Sequence, residues 1–298
     1  MHNALADFSA ELSRILTRTS ESVVAIKGRR SAATGIHWRN GFIVTACEAL
    51  RQGDSLSLVL PNGQTVATEL LGSDPSTHVA VLTLRNGAEL PAVALGDSQG
   101  LALGQLVATV GRDPRQGVFT SLGLISQIEG PWRSQSGGQI AQYIQVSLNL
   151  SPGSAGCPLI NAHGEVVGFN TFGPRRQVLT IPAATVNPVL QQFLQRGKLA
   201  RGYLGLSMQA VPLPKPMQQQ HALSNATAVM VTTVEPGRPA DRAGLLLGDV
   251  IVTINDQVME TVAQIQALLG PQSVGQLLRL QLLRGGQMQT LTLMVEER

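Results

Sequence analysis

The segment GIHWRNGFIVTA, residues 35–46, has strand-forming residues on both sides of Asn40-Gly41. Asparagine followed by glycine is a strong signal for the two-residue turn of a β-hairpin, because both residues tolerate a positive φ angle. The segment SLSLVLPNGQTVATELLG, residues 55–72, repeats this arrangement around Asn62-Gly63. Two such hairpins in close succession predict an antiparallel β fold for this part of the chain.

Strand-like segments continue outward from these hairpins over residues 22–182. They number about a dozen, which is too many for one small barrel and fits two six-stranded barrels. Residues 182–197 then predict a helix, because their apolar side chains recur with helical spacing. That apolar face is formed by Val186, Val189, Leu190, Phe193 and Leu194.

The pattern changes after this helix. Strands alternate with a Pro- and Gln-rich connection and short helical segments, which is typical of a compact α+β module. A chain of 298 residues also exceeds the usual size of a single core. We therefore predict a mainly β protein with an N-terminal helix over 1–20, a double-barrel domain over 21–197 and an α+β domain over 198–298.

Composition excludes several classes of protein. Hydrophobic residues make up 43% of the chain and charged residues 14%, with a formal net charge of +3 at pH 7. The hydrophobic fraction is sufficient for packed cores, so a mostly disordered chain is excluded. Basic residues are not clustered or interleaved with aromatic residues, so we expect no nucleic-acid binding. Every apolar run is too short to span a membrane.

The chain has two cysteines, Cys47 and Cys157, which are too few for a disulfide framework or a cysteine-based metal site. We expect both to be reduced thiols, with a Cys47–Cys157 disulfide as the less favoured alternative. His37, His163 and His221 lack the spacing of metal ligands. The sequence therefore predicts no metal site and no cofactor.

Three segments together resemble the HtrA/DegP-type serine proteases. Residues 153–159, GSAGCPL, are similar to the nucleophile loop G-N-S-G-G-P-L of that family. Residues 45–49, TACEA, match the segment T-N-x-H-V that carries the catalytic base, and residues 74–81, DPSTHVAV, match D-P-x-T-D-L-A-V. The resemblance covers nearly the whole chain. It implies a chymotrypsin-like double barrel followed by one PDZ domain.

The resemblance places Glu48 at the position of the base, His78 at that of the orienting carboxylate and Ala155 at that of the nucleophile. Acyl transfer of the triad type needs an oxygen or sulfur atom that a base can deprotonate, and a methyl group has neither. A carboxylate is also a poor base for a hydroxyl at neutral pH. We therefore predict a proteolytically inactive homologue that is not an enzyme. The alternative is an active serine-type endopeptidase whose triad is engineered or misaligned.

Glu48 and His78 form an exchanged pair, with a carboxylate where the family has imidazole and an imidazole where it has carboxylate. We interpret them as a structural hydrogen bond, with an acid/base or pH-sensing pair as the alternative. A displaced nucleophile at Ser154 or Cys47 is less favoured. The backbone N–H groups of Gly153, Ser154 and Ala155 are candidates for a remnant of the oxyanion hole.

The segment RGYLGL, residues 201–206, resembles the loop that holds a peptide's terminal carboxylate in HtrA-type PDZ domains. The resemblance implies a peptide site at Tyr203, Leu204, Gly205 and Leu206, whose following strand edge can pair with an added strand. A helix is also predicted for TVAQIQALLG, residues 261–270. Thr261, Ile265 and Leu268 share one face of this helix and are candidates for the groove wall. The alternative is that Ile265 and Leu268 belong to the core.

These features predict a pseudoprotease that binds peptides or protein C-terminal tails and acts as an adaptor, a regulatory subunit or a chaperone-like subunit. The family implies assembly through the N-terminal helix around Leu5–Ile15, as a homotrimer or as a hetero-oligomer with an active paralogue. A purely structural oligomer component is the alternative. Residues 1–28 lack the pattern of a secretory signal, so the chain as written is expected in the cytoplasm. A periplasmic location is the alternative if a leader has been removed.

Overall fold

The computed structural model describes residues 3–29, 32–50, 54–84, 89–134, 137–196, 202–270 and 273–297. The chain divides into two compact units, the first from residues 1–134 and 139–199 and the second mainly from residues 200–298. Over these described residues the structure confirms a mainly β chain with two six-stranded barrels followed by an α+β unit. The predicted boundary between residues 197 and 198 lies outside the described residues.

The first barrel contains the hairpins that the sequence predicts. Its strands are β1 (Val23–Lys27), β2 (Ala32–Arg39), β3 (Phe42–Ala46), β4 (Ser57–Val59), β5 (Thr65–Asp74) and β6 (Val79–Leu84), which close in the order β1-β2-β3-β6-β5-β4. Asn40 and Gly41 form the turn between β2 and β3, with φ angles of 48° and 77°. Positive φ at both central residues matches the right-handed twist of the flanking strands. The barrel interior is filled by aliphatic side chains such as Ile26, Ile43 and Leu82.

The second barrel follows directly in the chain. Its strands are β7 (Leu106–Asp113), β8 (Gly117–Glu129), β11 (Tyr143–Val146), β12 (Pro158–Ile160), β13 (Val166–Phe172) and β14 (Val178–Pro182), which close in the order β11-β14-β13-β12-β7-β8. A small hairpin of β9 (Trp132–Arg133) and β10 (Gln139–Ile140) lies between β8 and β11 along the chain. The interior again consists of aliphatic side chains, including Ile125, Ile144 and Leu159.

Two helices flank the double barrel. Helix α1 spans Ala4–Ser20 and begins at Asn3, whose side chain accepts a hydrogen bond from the backbone of Ala6. Helix α2 spans Ala183–Arg196. Phe193 of α2 is buried at 2% exposure, and a Cβ atom added to Gly72 of β5 would lie 2.2 Å from its ring. The ring therefore occupies space that only a glycine leaves open. No helix among the described residues combines the length and the hydropathy that crossing a bilayer requires.

The second unit is built on a sheet with strand order β16-β17-β18-β20-β21. Its elements are β15 (Gly202–Tyr203), β16 (Leu206–Pro212), α3 (Lys215–Gln220), β17 (Thr227–Val234), α4 (Pro239–Arg242), β18 (Val250–Ile254), β19 (Gln257–Val258), α5 (Val262–Leu268), β20 (Leu277–Arg284), β21 (Gln287–Met294) and β22 (Glu296–Glu297). β19 pairs with β18, and β15 pairs with β22. The buried carboxylate of Asp249 accepts two hydrogen bonds from the guanidinium of Arg284, both of 2.7 Å. Pairing of this kind offsets the cost of burying a charge.

Replacing Phe193 with alanine tests how helix α2 is held to the double barrel. We expect Phe193→Ala to lower the free energy of unfolding by about 3 kcal/mol or more, because a buried aromatic ring leaves a cavity that the backbone does not fill. Leu194→Ala on the same helix is the control, because Leu194 is 39% exposed. Its expected loss is below about 1 kcal/mol. Guanidinium titration of both variants measures the difference, and equal losses would contradict this packing.

Candidate functional site

The end of strand β3 and the turn between β5 and β6 lie side by side. The antiparallel ladder of β3 and β6 pairs Ala46 with Val79, the last residue of β3 with the first residue of β6. The next residues on either side stay in register, and the backbone N–H of Cys47 donates a 2.9 Å hydrogen bond to the carbonyl oxygen of His78. Cys47 opens a short 3-10 turn, Cys47–Ala49, that contains Glu48. The fold thus brings Glu48 and His78 together although 30 residues separate them in sequence.

The turn that presents His78 is organised by Asp74. The carboxylate of Asp74 is 2% exposed and accepts hydrogen bonds from the backbone N–H of Ser76 at 2.9 Å, the hydroxyl of Ser76 at 2.7 Å and the hydroxyl of Thr77 at 2.8 Å. An aspartate side chain that accepts a hydrogen bond from the backbone two residues further on stabilises a turn. His78 follows with a φ of 63°, which turns the chain into β6. The D-P-S-T part of the motif is therefore structural.

Glu48 and His78 are in contact. His78 Nδ1 lies 3.3 Å from Glu48 Oε2, and their side chains are 29% and 35% exposed. Cys47 Sγ lies 3.7 Å from the same carboxylate oxygen. These three side chains bring their donor atoms within 4.8 Å of one another. The residue pattern alone does not group Cys47 with Glu48 and His78; the 3-10 turn places the thiol beside the carboxylate.

Contacts and hydrogen bonds with neighbouring residues fix the backbone conformation of the loop around Ala155. A Cβ atom at Gly156 would lie 2.2 Å from the carbonyl oxygen of Thr34 and 2.3 Å from the hydroxyl of Thr45, and its φ of 91° also favours glycine. The N–H of Gly156 donates to the carbonyl oxygen of Asn170 at 2.8 Å. The Ala155 carbonyl accepts from the N–H of Thr34 at 3.2 Å. This loop therefore packs against β3 immediately before Cys47 and Glu48.

The candidate oxyanion-hole groups are not equivalent. The N–H of Ser154 donates to the carbonyl oxygen of Ser151 at 2.8 Å within a 3-10 turn, Pro152–Ser154. Its buried hydroxyl contacts the hydroxyl of Ser151 at 3.0 Å. The Ser154 N–H is thus engaged within the loop, so a substrate oxyanion in this cleft has the N–H groups of Gly153 and Ala155 as its remaining candidates.

The second candidate site lies in the unit of residues 200–298. Gly205 precedes β16 with a φ of 74°, and a Cβ atom there would lie 2.2 Å from Cβ of Arg238. The carbonyl groups of Leu204 and Gly205 accept hydrogen bonds from Ala240 at 2.9 Å and Glu235 at 2.8 Å, which holds the loop in place. β16 ends the strand order of the sheet, so one of its edges is available for an added strand. Arg201 lies outside the described residues.

The residues predicted for the groove wall differ in how far they are buried. Thr261 is exposed and caps α5, where its hydroxyl accepts from the N–H of Gln264. Ile265 is completely buried in the core of the unit, and Leu268 is half-buried beside that core. The alternative that Ile265 is a core residue therefore describes its surroundings better. The Tyr203 hydroxyl donates to Glu235 at 2.5 Å, so its side chain is held to the side of the loop.

The two cysteines differ in environment, and neither forms a disulfide. Cys157 is completely buried, and burial raises the pKa of its thiol to about 12, against hydrogen bonds with Thr34 and Thr109 that lower it. Cys47 is half-buried and lines a surface pocket. Reactivity follows the thiolate form, so Cys157 is an inert packing residue and Cys47 is the accessible thiol.

A thiol titration tests this assignment. We expect a disulfide-exchange reagent at mildly alkaline pH to react rapidly with Cys47 in the native protein and with Cys157 only after unfolding. Because the pKa of Cys157 is raised to about 12, its thiolate becomes abundant only as the pH approaches that value. Cys47→Ser is the control and removes the rapid phase. A rapid phase that persists in this variant, or a mass increase of the wild type on reduction, would contradict the assignment.

Comparison with known proteins is consistent with this geometry. The chain matches the trypsin-like peptidase domain family over residues 33–169 and the PDZ domain family over residues 202–295. A probable periplasmic serine endoprotease DegP-like of Halomonas elongata is 30% identical over 274 residues, which are 90% of this chain and 56% of the relative. The serine protease Do-like HtrB of Bacillus subtilis is 29% identical over 269 residues, which are 84% of this chain and 58% of the relative. The chain thus spans a little over half the length of these curated relatives.

A solved structure, the HtrA-type protease AlgW with decapeptide, covers 96% of this chain and 98% of its own with a TM-score of 0.72 and 26% identity. Its overall similarity extends over both units.

These relatives contradict the prediction that the protein is not an enzyme, because they are named serine endoproteases and proteases. The side chains at positions 48, 78 and 155 establish which groups occupy the cleft, and they do not show that the cleft is inactive. The error lay in equating the loss of one catalytic arrangement with the loss of all activity. The prediction of family is confirmed, and the chain belongs to the HtrA/DegP family, with a trypsin-like peptidase domain followed by one PDZ domain.

Proposed function

We propose that this protein acts on polypeptides as an HtrA-type endopeptidase and captures C-terminal peptide tails in its PDZ groove. The observation that carries the proposal is the loop from Tyr203 to Leu206, which begins an edge strand with a left-handed glycine. Backbone N–H groups that converge at such a turn form a nest for an anion, and the terminal carboxylate of a peptide is such an anion. The peptide backbone then adds to the free edge of β16.

Support for peptide binding comes from the similar HtrA-type protease, whose structure contains a decapeptide. In this chain, half-buried Leu206 and Met208 alternate with exposed residues along β16. Half-buried Leu268 lies on α5 beside the same core. These apolar side chains favour an apolar C-terminal residue in the ligand.

The barrel cleft is the proposed site of hydrolysis. Its framework is that of the family, but Ala155 presents only a methyl group and therefore forms no acyl intermediate. Hydrolysis in this cleft has to use another nucleophile, either a water molecule or the thiolate of Cys47. His78 is the proposed proton-transfer group, because its imidazole contacts Glu48 and remains partly exposed. A captured tail that is not cleaved in this chain would instead be presented to another subunit, which is the adaptor role.

We further propose a periplasmic location, which is the location named for the DegP-like relatives. Self-association is proposed through helix α1. Leu5 and Phe8 are 76% and 42% exposed on this helix. Phe8 also borders a largely apolar groove of about 170 Å³ between α1 and strands β7 and β8. A second copy that covers these side chains would remove apolar surface from water.

The PDZ part of the proposal is tested with a library of peptides that vary at the C-terminus. We expect the full chain to select a defined terminal motif and to lose it when the peptides are C-terminally amidated. Gly205→Ala should weaken binding by about tenfold or more, because the added methyl group is forced against Arg238 and the carboxylate loop shifts. Gly285→Ala is the matched control. Gly285 also has a positive φ, of 56°, but an added Cβ meets no atom within 4 Å. Equal binding by both variants would contradict the groove.

The hydrolytic part is tested with casein and highly purified protein. We expect degradation that fluorophosphonate reagents do not inhibit, because these reagents modify an activated serine and residue 155 is alanine. His78→Asn should lower the rate by about a hundredfold, since asparagine tolerates the left-handed backbone of this position but transfers no proton. His163→Ala, at an exposed residue, is the control and should leave the rate unchanged. Unaltered degradation by the His78→Asn protein would contradict the role of His78 in proton transfer. Absence of degradation by the wild type would overturn endopeptidase activity while leaving tail binding intact.

A further inference from the structure

Three chemically different donor groups meet at the end of strand β3. Glu48 Oε2 lies 3.3 Å from His78 Nδ1 and 3.7 Å from Cys47 Sγ, and all three donor atoms lie within 4.8 Å of one another. A thiolate, an imidazole nitrogen and a carboxylate oxygen are the ligands that zinc uses in proteins. This cluster stands where the family has part of its catalytic triad, so the altered side chains have created a different chemical set in the same place.

The separations agree with tetrahedral coordination. With ordinary zinc bond lengths, the ligand atoms of a tetrahedral site are separated by about 3.3 Å for nitrogen and oxygen and about 3.5 Å for sulfur and oxygen. The measured contacts are 3.3 Å and 3.7 Å. The third pair, sulfur and nitrogen, needs about 3.6 Å, and these two atoms lie within 4.8 Å of each other. A structural hydrogen bond between Glu48 and His78 does not require a thiol beside it.

The backbone around the cluster is held in place before any ion binds. Cys47 and His78 are joined through the hydrogen bond from the Cys47 N–H to the His78 carbonyl, and His78 follows the turn closed by buried Asp74. Ligands fixed by rigid elements lose little freedom on binding, which favours affinity. Cys47 also lines a surface pocket of about 870 Å³ whose wall carries the carboxyl groups of Asp54 and Glu69. The pocket gives an ion access to the thiol.

We propose that Cys47, Glu48 and His78 form a binding site for a divalent transition-metal ion, with zinc as the favoured ion. The three side chains supply sulfur, oxygen and nitrogen ligands, and the fourth position is open. Three protein ligands with an open position are the arrangement of zinc sites that bind and activate water, whereas structural zinc sites have four protein ligands. Binding deprotonates the thiol and releases its proton to solvent. This site is independent of the PDZ groove and of the tail-binding proposal. It shares Cys47 and His78 with the proposed hydrolytic cleft, so a bound ion excludes Cys47 as the nucleophile there.

The test uses cobalt as a spectroscopic substitute for zinc on the full, reduced and metal-free protein. We expect one cobalt ion per chain, with intense visible bands of a tetrahedral centre and a near-ultraviolet charge-transfer band from thiolate to cobalt. Added zinc should displace the cobalt. Cys47→Ser should remove the charge-transfer band, and His78→Asn and Glu48→Gln should each weaken binding by about tenfold or more.

Two control variants separate this site from adventitious binding. His163→Ala removes an exposed imidazole and should bind cobalt as the wild type does. Cys157→Ala removes the buried thiol and should retain the charge-transfer band. Circular dichroism and thermal unfolding verify that each variant is folded. The proposal is overturned if the wild type shows no thiolate band with cobalt, or if the band survives in Cys47→Ser protein. The visible bands and the charge-transfer band of cobalt are both spectroscopic readouts. The result therefore does not depend on whether the protein cleaves casein or binds peptide tails.

Discussion

The hydrogen bond from the Cys47 backbone N–H to the His78 carbonyl extends the pairing of β3 and β6 by one step beyond the strands. It joins two segments at the point where each leaves the first barrel. Everything proposed for the cleft depends on this register, because a shift of one residue in an antiparallel pair would send the side chains to opposite faces. The bond uses backbone atoms only, so it persists when the side chains at positions 48 and 78 change.

The loop at Ala155 is likewise held in its conformation without help from the side chain at that position. Its conformation depends on Gly156, for which the tight approach to Thr34 and Thr45 leaves no room for a Cβ atom, and on hydrogen bonds with Thr34 and Asn170. None of these interactions uses the side chain of residue 155. The backbone of this loop is therefore held independently of the side chain at position 155, and the cleft carries a carboxylate, an imidazole, a thiol and a methyl group. Such a scaffold permits chemistry to change without loss of fold.

The peptide groove depends on one glycine, on the position of β16 in its sheet and on the packing of helix α5. Its carboxylate loop depends on a left-handed glycine, and its edge strand on the end position of β16 in the sheet. Ile265, which the helical spacing placed on the groove face, is completely buried instead. A short helix packed on a sheet presents one stripe to the core, and the spacing of i and i+4 residues does not distinguish that stripe from a groove wall beside it. Only the packing of α5 makes the distinction.

The sequence by itself determined the β-barrel architecture, the order of the domains and the family, because Asn-Gly turns, strand alternation and motif spacing are local signals. Its resemblance to the family also led to the prediction that Glu48, His78 and Ala155 stand at the catalytic positions. The tertiary structure decided that Cys47 joins Glu48 and His78, that the Ser154 N–H is engaged within its loop and that Ile265 belongs to the core. The first is a contact between a turn and a strand end 30 residues away, the second a hydrogen bond inside one turn, and the third the packing of a helix on a sheet. Side-chain direction at such junctions depends on the φ and ψ angles of a single turn and on packing, which the order of residues along the chain does not reveal.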